Sequence, residues 1–296
     1  MNYSTPELLV NANAYLGEGP AWDSSRQQLY WVDIFEGFLH CFDPHSGVDQ
    51  ITSIGQWIGC VAPTQSGGLI LGLREGIATL EQPDSPLKFI SRPESNLPKN
   101  RFNDGKCAPN GNFLAGTMDN AEKDSTGKLY SLAPDGSLKT LLVDLQISNG
   151  LAWSPDHKTF YFIDTPTSKV MAYDYDLATG EIANPRVAVN IPKSMGWADG
   201  MTSDENGNLW VGLWGGAALT VWNPANGSLI EKIDIPAWNV TCCVFGGPTR
   251  NDLYVTSACK GLDEAHLSDF PQNGSLFRIK TNVTGMPTFS FDDKNV

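Results

Sequence analysis

Residues 197–215 alternate polar and apolar positions in an order that predicts two β-strands joined by a tight turn. The acid Asp199 stands near the start, a polar turn follows at 204–208, and an apolar run at 209–213 comes next. Asparagine and glycine in such a turn tolerate the positive φ angles that a tight hairpin requires. The segment is therefore predicted to form a strand, a turn and a second strand.

The same order of features returns six times along the chain. The units begin at residues 18, 58, 103, 149, 199 and 241, so that successive starts are 40, 45, 46, 50 and 42 residues apart. Repeats of about 40 to 50 residues that contain several short strands are typical of propeller blades. We therefore predict an all-β fold, a six-bladed β-propeller with four antiparallel strands in each blade.

The two ends of the chain indicate how the ring of blades closes. An apolar segment at 7–10 precedes the first unit, and a second strand-like segment at 275–280 follows the last one. Pairing the N-terminal strand with the C-terminal sheet would remove an exposed strand edge. Six blades of this length use nearly all 296 residues, so we expect one domain, 1–296. The segment 261–270 is the one candidate for a short helix or a lid loop.

Composition limits the partners of the chain and its location. The formal net charge of −13 argues against nucleic acid or an anionic membrane as a partner, since both attract clustered Lys and Arg. The first residues lack a basic signal-peptide start, and no apolar run reaches membrane-spanning length, so a cytoplasmic location is expected. The six cysteines form no C-x-x-C pair, which favours buried thiols over disulfides or metal ligands. The oligomeric state is left open.

Polar residues stand at the head of four repeats, and they are the candidates for chemistry. Because the inner strands of a propeller surround one axis, residues at equivalent positions in different blades converge. The heads are Glu18, Asn103 with its neighbour Asp104, Asn149 and Asp199. Their oxygens suit Ca²⁺, Mg²⁺ or Mn²⁺, and Zn²⁺ can also accept such ligands. No histidine occupies an equivalent position, which argues against a histidine-based zinc or iron site.

A purely structural explanation exists for these heads, because Asn-Gly and Asp-Gly pairs are common turn formers. Each such pair taken alone is best explained as a turn. The pairs nevertheless precede the first strand of their repeats and recur in register, which favours a shared polar site.

Four segments resemble the signatures of the gluconolactonase, regucalcin and senescence-marker-protein family. They are LGEGPAWD at 16–23, RFNDGKCAPNGNFLAGTM at 101–118, ISNGLAWSPD at 147–156 and WADGMTSDENGNLWV at 197–211. The resemblance spans all six repeats. It implies a six-bladed propeller with one divalent metal at the top of the axial channel and, as in many members, hydrolysis of sugar lactones.

The resemblance also assigns roles to individual residues. It implies that Glu18, Asn149 and Asp199 are the metal ligands and that Arg101 and Asn103 contact substrate hydroxyls. It further implies an acid that contacts the sugar in the loop after residue 118, where the chain offers both Asp119 and Glu122. The expected cofactor is one divalent cation, with Ca²⁺ or Zn²⁺ favoured and Mn²⁺, Mg²⁺ or Fe²⁺ also compatible.

The predicted reaction is metal-assisted hydrolysis of an aldonolactone, of the glucono-, xylono-, arabino- or galactono- type, to the aldonic acid. Asp199 is the candidate general base. Trp57, Trp197 and Trp214 are candidates for the rim of a sugar pocket, although core packing between blades is the favoured role for each of them.

Three other functions stay open from the sequence. They are a calcium-binding regulatory protein of the regucalcin type, a phosphotriesterase-like hydrolase and an interaction scaffold without metal. A serine hydrolase is disfavoured because the chain has no G-x-S-x-G elbow and no histidine at a repeat head. Dinucleotide and phosphate-binding glycine motifs are also absent from the sequence.

Overall fold

The protein is a six-bladed β-propeller in which every blade is a four-stranded antiparallel sheet. The computed structural model describes residues 1–294. The first three blades contain β2 Gly17–Asp23, β3 Gln28–Asp33, β4 Phe38–Asp43 and β5 Val48–Ser53; β6 Ile58–Pro63, β7 Leu69–Leu73, β8 Gly76–Leu80 and β9 Lys88–Ser91; β10 Asn100–Cys107, β11 Phe113–Asp119, β12 Gly127–Leu132 and β13 Leu138–Leu145.

The last three blades follow the same plan. They contain β14 Ser148–Trp153, β15 Thr159–Asp164, β16 Lys169–Tyr175 and β17 Ile182–Asn190; β18 Trp197–Ser203, β19 Leu209–Trp214, β20 Ala218–Asn223 and β21 Ser228–Asp234; β22 Asn239–Gly246, β23 Asp252–Ala258, β24 Leu276–Lys280 and β1 Glu7–Val10. Two 3₁₀ turns, Thr165–Thr167 and Lys193–Met195, precede β16 and β18, and the α-helix α1 is Glu264–Asp269.

The ring closes as the sequence predicts. Strand β1 pairs antiparallel with β24 in the sixth blade, where Glu7 lies opposite Arg278. The guanidinium of Arg278 donates to the Glu7 carboxylate at 2.8 and 3.1 Å. An N-terminal strand thus completes the sheet of the last blade, and the predicted closure is confirmed.

The hydrophobic core is divided into six clusters, each between two neighbouring blades. The cluster between the fifth and sixth blades contains Trp210, which is fully buried against Phe245 with ring centroids 5.3 Å apart. Between the sixth and first blades Trp22 stacks on Tyr254 at 5.6 Å. The aromatic residues of the repeats therefore pack sheet against sheet, which stabilises the ring through burial of large apolar surfaces.

Two smaller predictions are also borne out. Helix α1 falls inside the segment 261–270, and its N-cap Asp263 accepts from the backbone N–H of His266 at 2.9 Å. All six cysteines are free, and four of them are buried. No helix within residues 1–294 has the length and hydrophobicity needed to cross a membrane.

Candidate functional site

A cavity of about 550 Å³ opens at the end of the channel where the inner strands begin. The inner strands β2, β6, β10, β14, β18 and β22 contact one another around the axis. Six of the seven residues predicted to bind metal or substrate line the cavity, namely Glu18, Arg101, Asn103, Glu122, Asn149 and Asp199. The fold therefore brings together residues that lie up to 181 positions apart in the sequence.

A β-bulge in each inner strand aims the head residue into the cavity. The pairing register shifts between Glu18 and Ala21 in β2, and equivalent shifts follow Asn149 in β14 and precede Met201 in β18. The residues left out of the ladder directly follow Glu18 and Asn149 and, in β18, include Asp199 itself, so each strand bends next to its head residue.

The glycines after Asn149 and Asp199 are required by close packing of the inner strands. A methyl group at Gly150 would come 2.8 Å from the Asp199 carbonyl oxygen, and one at Gly200 would come 2.5 Å from the Cβ of Cys242. These glycines lie within strands β14 and β18. The explanation of these Asn-Gly and Asp-Gly pairs as turn formers is therefore wrong.

Three oxygen-bearing side chains from three blades converge in the cavity. Glu18, Asn149 and Asp199 are each at most 5% exposed. One carboxylate oxygen of Glu18 accepts from the N–H of Gly19 at 2.8 Å, and Oδ1 of Asn149 accepts from Asn103 at 3.0 Å. Within residues 1–294 no donor reaches the carboxylate of Asp199. Its lone pairs remain available to a cation, to water or to a substrate.

A chain of hydrogen bonds orients Asn149. The Nη1 of Arg101 donates to Oδ1 of Asn103 at 2.6 Å, and Nδ2 of Asn103 donates to Oδ1 of Asn149. The amide nitrogen of Asn149 then donates to the hydroxyl of Thr165 at 2.8 Å, and that hydroxyl donates to the carbonyl of Ala198 at 2.7 Å. These hydrogen bonds connect three blades, and they fix the positions of the oxygen and nitrogen atoms of both side-chain amides.

Burial and like charges dominate the electrostatics of the site. Burial, together with the nearby charge of Asp104, raises the pKa of Glu18 to about 8. Burial and the charge of Glu18 raise the pKa of Asp199 well above its usual range, and Lys260 acts in the opposite direction. Burial also lowers the pKa of Arg101 to about 10. Buried carboxylates so close together are stabilised in their charged form by a cation.

The donor set fits a hard divalent cation. It consists of two carboxylates and one amide oxygen, which are the ligands that Ca²⁺ and Mg²⁺ prefer and Zn²⁺ accepts. No cluster of three or more His, Cys, Asp or Glu side chains suited to a metal occurs among residues 1–294. A cation here would thus need the amide of Asn149 besides the two acids.

Asp104, the neighbour of Asn103, faces a different space. It lines a smaller cavity farther down the channel. One carboxylate oxygen accepts from the N–H of Gly105 at 2.7 Å, and the other has no hydrogen-bond partner within residues 1–294. Asp104 therefore acts on the upper cavity through its charge near Glu18.

The two acids after residue 118 occupy different environments. Glu122 lines the cavity. The carboxylate of Asp119 accepts from the backbone N–H groups of Lys123 and Asp124 at 3.2 and 3.3 Å, and Asp119 is not among the cavity-lining residues. Glu122 thus shares the cavity with the other predicted residues, whereas Asp119 hydrogen-bonds within its own loop.

Aromatic side chains form one wall of the cavity. Trp197 and Trp214 line it, whereas Trp57 packs against Phe35 with ring centroids 5.0 Å apart and lies outside the lining. Trp238 also lines the cavity and was missed by the sequence analysis. It directly precedes β22 as Trp57 directly precedes β6, so this shared position ahead of an inner strand is the signal that could have found it.

Thr165 is a second residue that the sequence analysis missed, and it yields a testable prediction. Thr165→Val removes both hydrogen bonds of the hydroxyl at nearly constant volume, so the amide of Asn149 loses its fixed orientation. Loss of such a supporting contact is expected to weaken binding of a divalent cation about tenfold. Isothermal titration calorimetry measures the change, and Thr165→Ser should retain the affinity. Equal affinities of Thr165→Val and the unmodified protein would contradict this role.

Comparisons with known proteins agree with the fold. The sequence profile of the SMP-30/Gluconolactonase/LRE-like region matches residues 16–259. A Bacillus subtilis (strain 168) protein provisionally named sugar lactone lactonase YvrE is 35% identical over 284 residues, covering 96% of this chain and 97% of the relative. Regucalcin of Xenopus laevis is 37% identical over 278 residues, covering 92% and 93%.

A solved structure is similar over the same length. The crystal structure described as a calcium-binding protein, regucalcin, from Agrobacterium tumefaciens strain C58 has a TM-score of 0.93 and 28% identity. The match covers 98% of this chain and 97% of that one.

Proposed function

The chain belongs to the SMP-30/gluconolactonase/LRE-like family, and from this premise we propose that it is a metal-dependent sugar lactonase. The substrate would be an aldonolactone of the glucono-, xylono-, arabino- or galactono- type, and the product the aldonic acid. The observation that carries the proposal is the convergence of Glu18, Asn149 and Asp199 in one cavity. That cavity also holds donors and acceptors suited to sugar hydroxyls.

The proposed cofactor is one divalent cation held by Glu18, Asn149 and Asp199. The similar Agrobacterium protein is described as calcium-binding, which favours Ca²⁺. Zn²⁺ is the second candidate, and Mn²⁺, Mg²⁺ and Fe²⁺ remain compatible with oxygen ligands. When bound, such a cation supplies Lewis-acid polarisation of the lactone carbonyl and makes hydroxide easier to form from water.

The residues of the chain would supply the proton transfers. Asp199 is the proposed general base, because its carboxylate accepts no hydrogen bond from the protein and faces the cavity. It would remove a proton from the attacking water and return it to the ring oxygen as the ester bond breaks. Glu18 and Asn149 would hold the cation, and the bond from Asn103 keeps the amide of Asn149 in place.

Sugar recognition would come from other residues that line the same cavity. Arg101 lines the cavity, and its planar fork offers donors to hydroxyls or to the oxygen that becomes negative. Asn103 already uses both its amide hydrogens within the protein, so its proposed contact with substrate is limited to its oxygen. The faces of Trp197, Trp214 and Trp238 offer apolar surface for the C–H groups of a sugar ring.

Metal removal and reconstitution test the proposal. Metal-stripped protein would be assayed by acid release from D-glucono-, D-xylono-, L-arabino- and D-galactonolactone, with Ca²⁺, Zn²⁺, Mn²⁺, Mg²⁺ or Fe²⁺ added back. We expect the stripped protein to lose at least about 99% of turnover, because the cation supplies several kcal/mol of transition-state stabilisation. One cation should restore turnover. Hydrolysis no faster than the uncatalysed rate with every cation would contradict the lactonase function.

A regulatory calcium-binding function is the second candidate, favoured by the relatives named regucalcin. In that case the same three ligands would bind Ca²⁺ without turnover of any lactone. Calorimetric titration of Ca²⁺ alongside the assay separates the two functions. Faster hydrolysis of a phosphotriester than of any lactone would instead favour a phosphotriesterase.

A further inference from the structure

An ion pair crosses the mouth of the cavity. The Nζ of Lys260 contacts Oε1 of Glu122, although the two residues are 138 positions apart in the sequence. Glu122 lies in the connection between β11 and β12 of the third blade, and Lys260 lies between β23 and β24 of the sixth. The third and sixth blades of a six-bladed ring are opposite each other. The pair therefore spans the channel mouth from side to side.

Backbone contacts hold both ends of this pair. The N–H of Lys260 donates to the carbonyl of Tyr15 at 2.8 Å, and the carbonyl of Lys260 accepts from Nδ2 of Asn239 at 3.1 Å. The carbonyl of Glu122 accepts from Nε2 of Gln146 at 2.9 Å, and its φ of 60° lies in the left-handed region. The two charges are thus presented from anchored loops.

The surroundings of the pair indicate that recognition, more than stability, explains it. The ammonium of Lys260 lies 5.6 Å from the ring centroid of Phe35 and 5.9 Å from that of Trp214. The side chains of Lys260 and Glu122 are 24% and 40% exposed, and exposed ion pairs contribute only about 0 to 1 kcal/mol to folding. Both residues nevertheless line the cavity, where an ammonium and a carboxylate stand side by side.

We propose that Lys260 is a specificity-determining residue that, together with Glu122, binds neighbouring hydroxyls of a polyhydroxylated lactone. This inference rests on the proposed lactonase function. A hydroxyl group both donates and accepts, so one hydroxyl donates to the Glu122 carboxylate while the next accepts from the Lys260 ammonium. A lactone of the same ring size without hydroxyls gains neither contact. Sites that hydrogen-bond substrate hydroxyls discriminate strongly against analogues that lack them.

The test compares two six-membered lactones, D-glucono-δ-lactone and δ-valerolactone. Lys260→Met keeps most of the aliphatic stem between Phe35 and Trp214 and removes the charge. We expect kcat/KM for the gluconolactone to fall about tenfold or more, mainly through KM, as loss of a charged hydrogen bond implies. The value for δ-valerolactone should stay within about twofold. Glu122→Gln should act in the same direction, and Lys260→Arg should restore part of the loss.

Lys88→Met is the matched control. The Nζ of Lys88 lies 2.7 Å from Oε1 of Glu81 in an exposed ion pair, and neither residue lines the cavity. This variant should change neither lactone's kcat/KM. Equal losses on both lactones in Lys260→Met, or no loss on the gluconolactone, would overturn the inference. Thermal unfolding of each variant verifies that the fold is intact.

Failure of the proposed function gives a separate result. If the unmodified protein hydrolyses neither lactone with any cation, the lactonase function is wrong, and binding then decides the role of Lys260. The probe is D-glucono-δ-lactam, a non-hydrolysable analogue with the same hydroxyls, titrated by calorimetry. Binding that weakens about tenfold in Lys260→Met supports the inference. Unchanged binding in Lys260→Met, or no binding by the unmodified protein, overturns it.

Discussion

Replacing Asp199 by asparagine is expected to lower kcat/KM for the sugar lactone by at least about a thousandfold. General acid–base catalysis contributes roughly 10²- to 10⁴-fold, and Asp199 would also lose its charge as a metal ligand. Asparagine matches aspartate in size but cannot take up the proton of the attacking water. Because no protein donor within residues 1–294 reaches the Asp199 carboxylate, the substitution breaks no hydrogen bond within the protein.

The decisive measurement is turnover at rising cation concentration. Extra cation should not restore activity in Asp199→Asn, since the missing group is the base as well as a ligand. Burial and the charge of Glu18 raise the pKa of Asp199, so removing its charge should not lower the unfolding temperature of the metal-free protein. Asp234→Asn, an exposed acid in the same blade, is the control. Activity within about tenfold of the unmodified protein would exclude Asp199 as the base.

The architecture could be predicted from the sequence because a propeller repeats one local pattern. Each blade has the same order of strand, turn and strand, so the clear repeats guide the interpretation of the faint ones. The family resemblance and the ring closure by β1 and β24 are also confirmed. Position at the head of a repeat also predicted that Glu18, Asn149 and Asp199 would meet, and all three line one cavity.

Why glycine follows Asn149 and Asp199 could be explained only from the structure. An Asn-Gly pair in a sequence indicates a turn, since two neighbouring residues report only their local backbone preference. In the fold, Gly150 lies so close to the Asp199 carbonyl of the next inner strand that a side chain would not fit. That constraint comes from a contact between blades, which no local pattern contains.

Residues outside the repeats could not be found from periodicity. Lys260 lies in the connection between β23 and β24, which is longer than the equivalent connections of the other blades, so it has no equivalent position to align. Thr165 follows β15 at a distance of 16 residues from Asn149, and only the hairpin brings its hydroxyl to the amide. The choice between Asp119 and Glu122 likewise depended on loop geometry, because both are acids within one short loop.

A second large effect is expected for Glu18→Gln, and it should differ in kind from that of Asp199→Asn. Glutamine keeps a neutral oxygen ligand at nearly the same place but removes one full charge from the cation site. The affinity for the divalent cation is expected to fall by about a hundredfold, with turnover at low cation concentration falling in proportion. Because the base Asp199 is intact, high cation concentration should restore most of kcat.

Cation titration of turnover, checked by calorimetry, distinguishes a ligand from a base. Glu36→Gln, an exposed acid of the same blade outside the cavity lining, should behave as the unmodified protein. Burial and the charge of Asp104 raise the pKa of Glu18 to about 8, so the neutral glutamine should leave the metal-free fold at least as stable. If Glu18→Gln bound the cation with unchanged affinity, Glu18 would not be a ligand. If excess cation failed to restore its turnover, Glu18 would have a role in the chemical step itself.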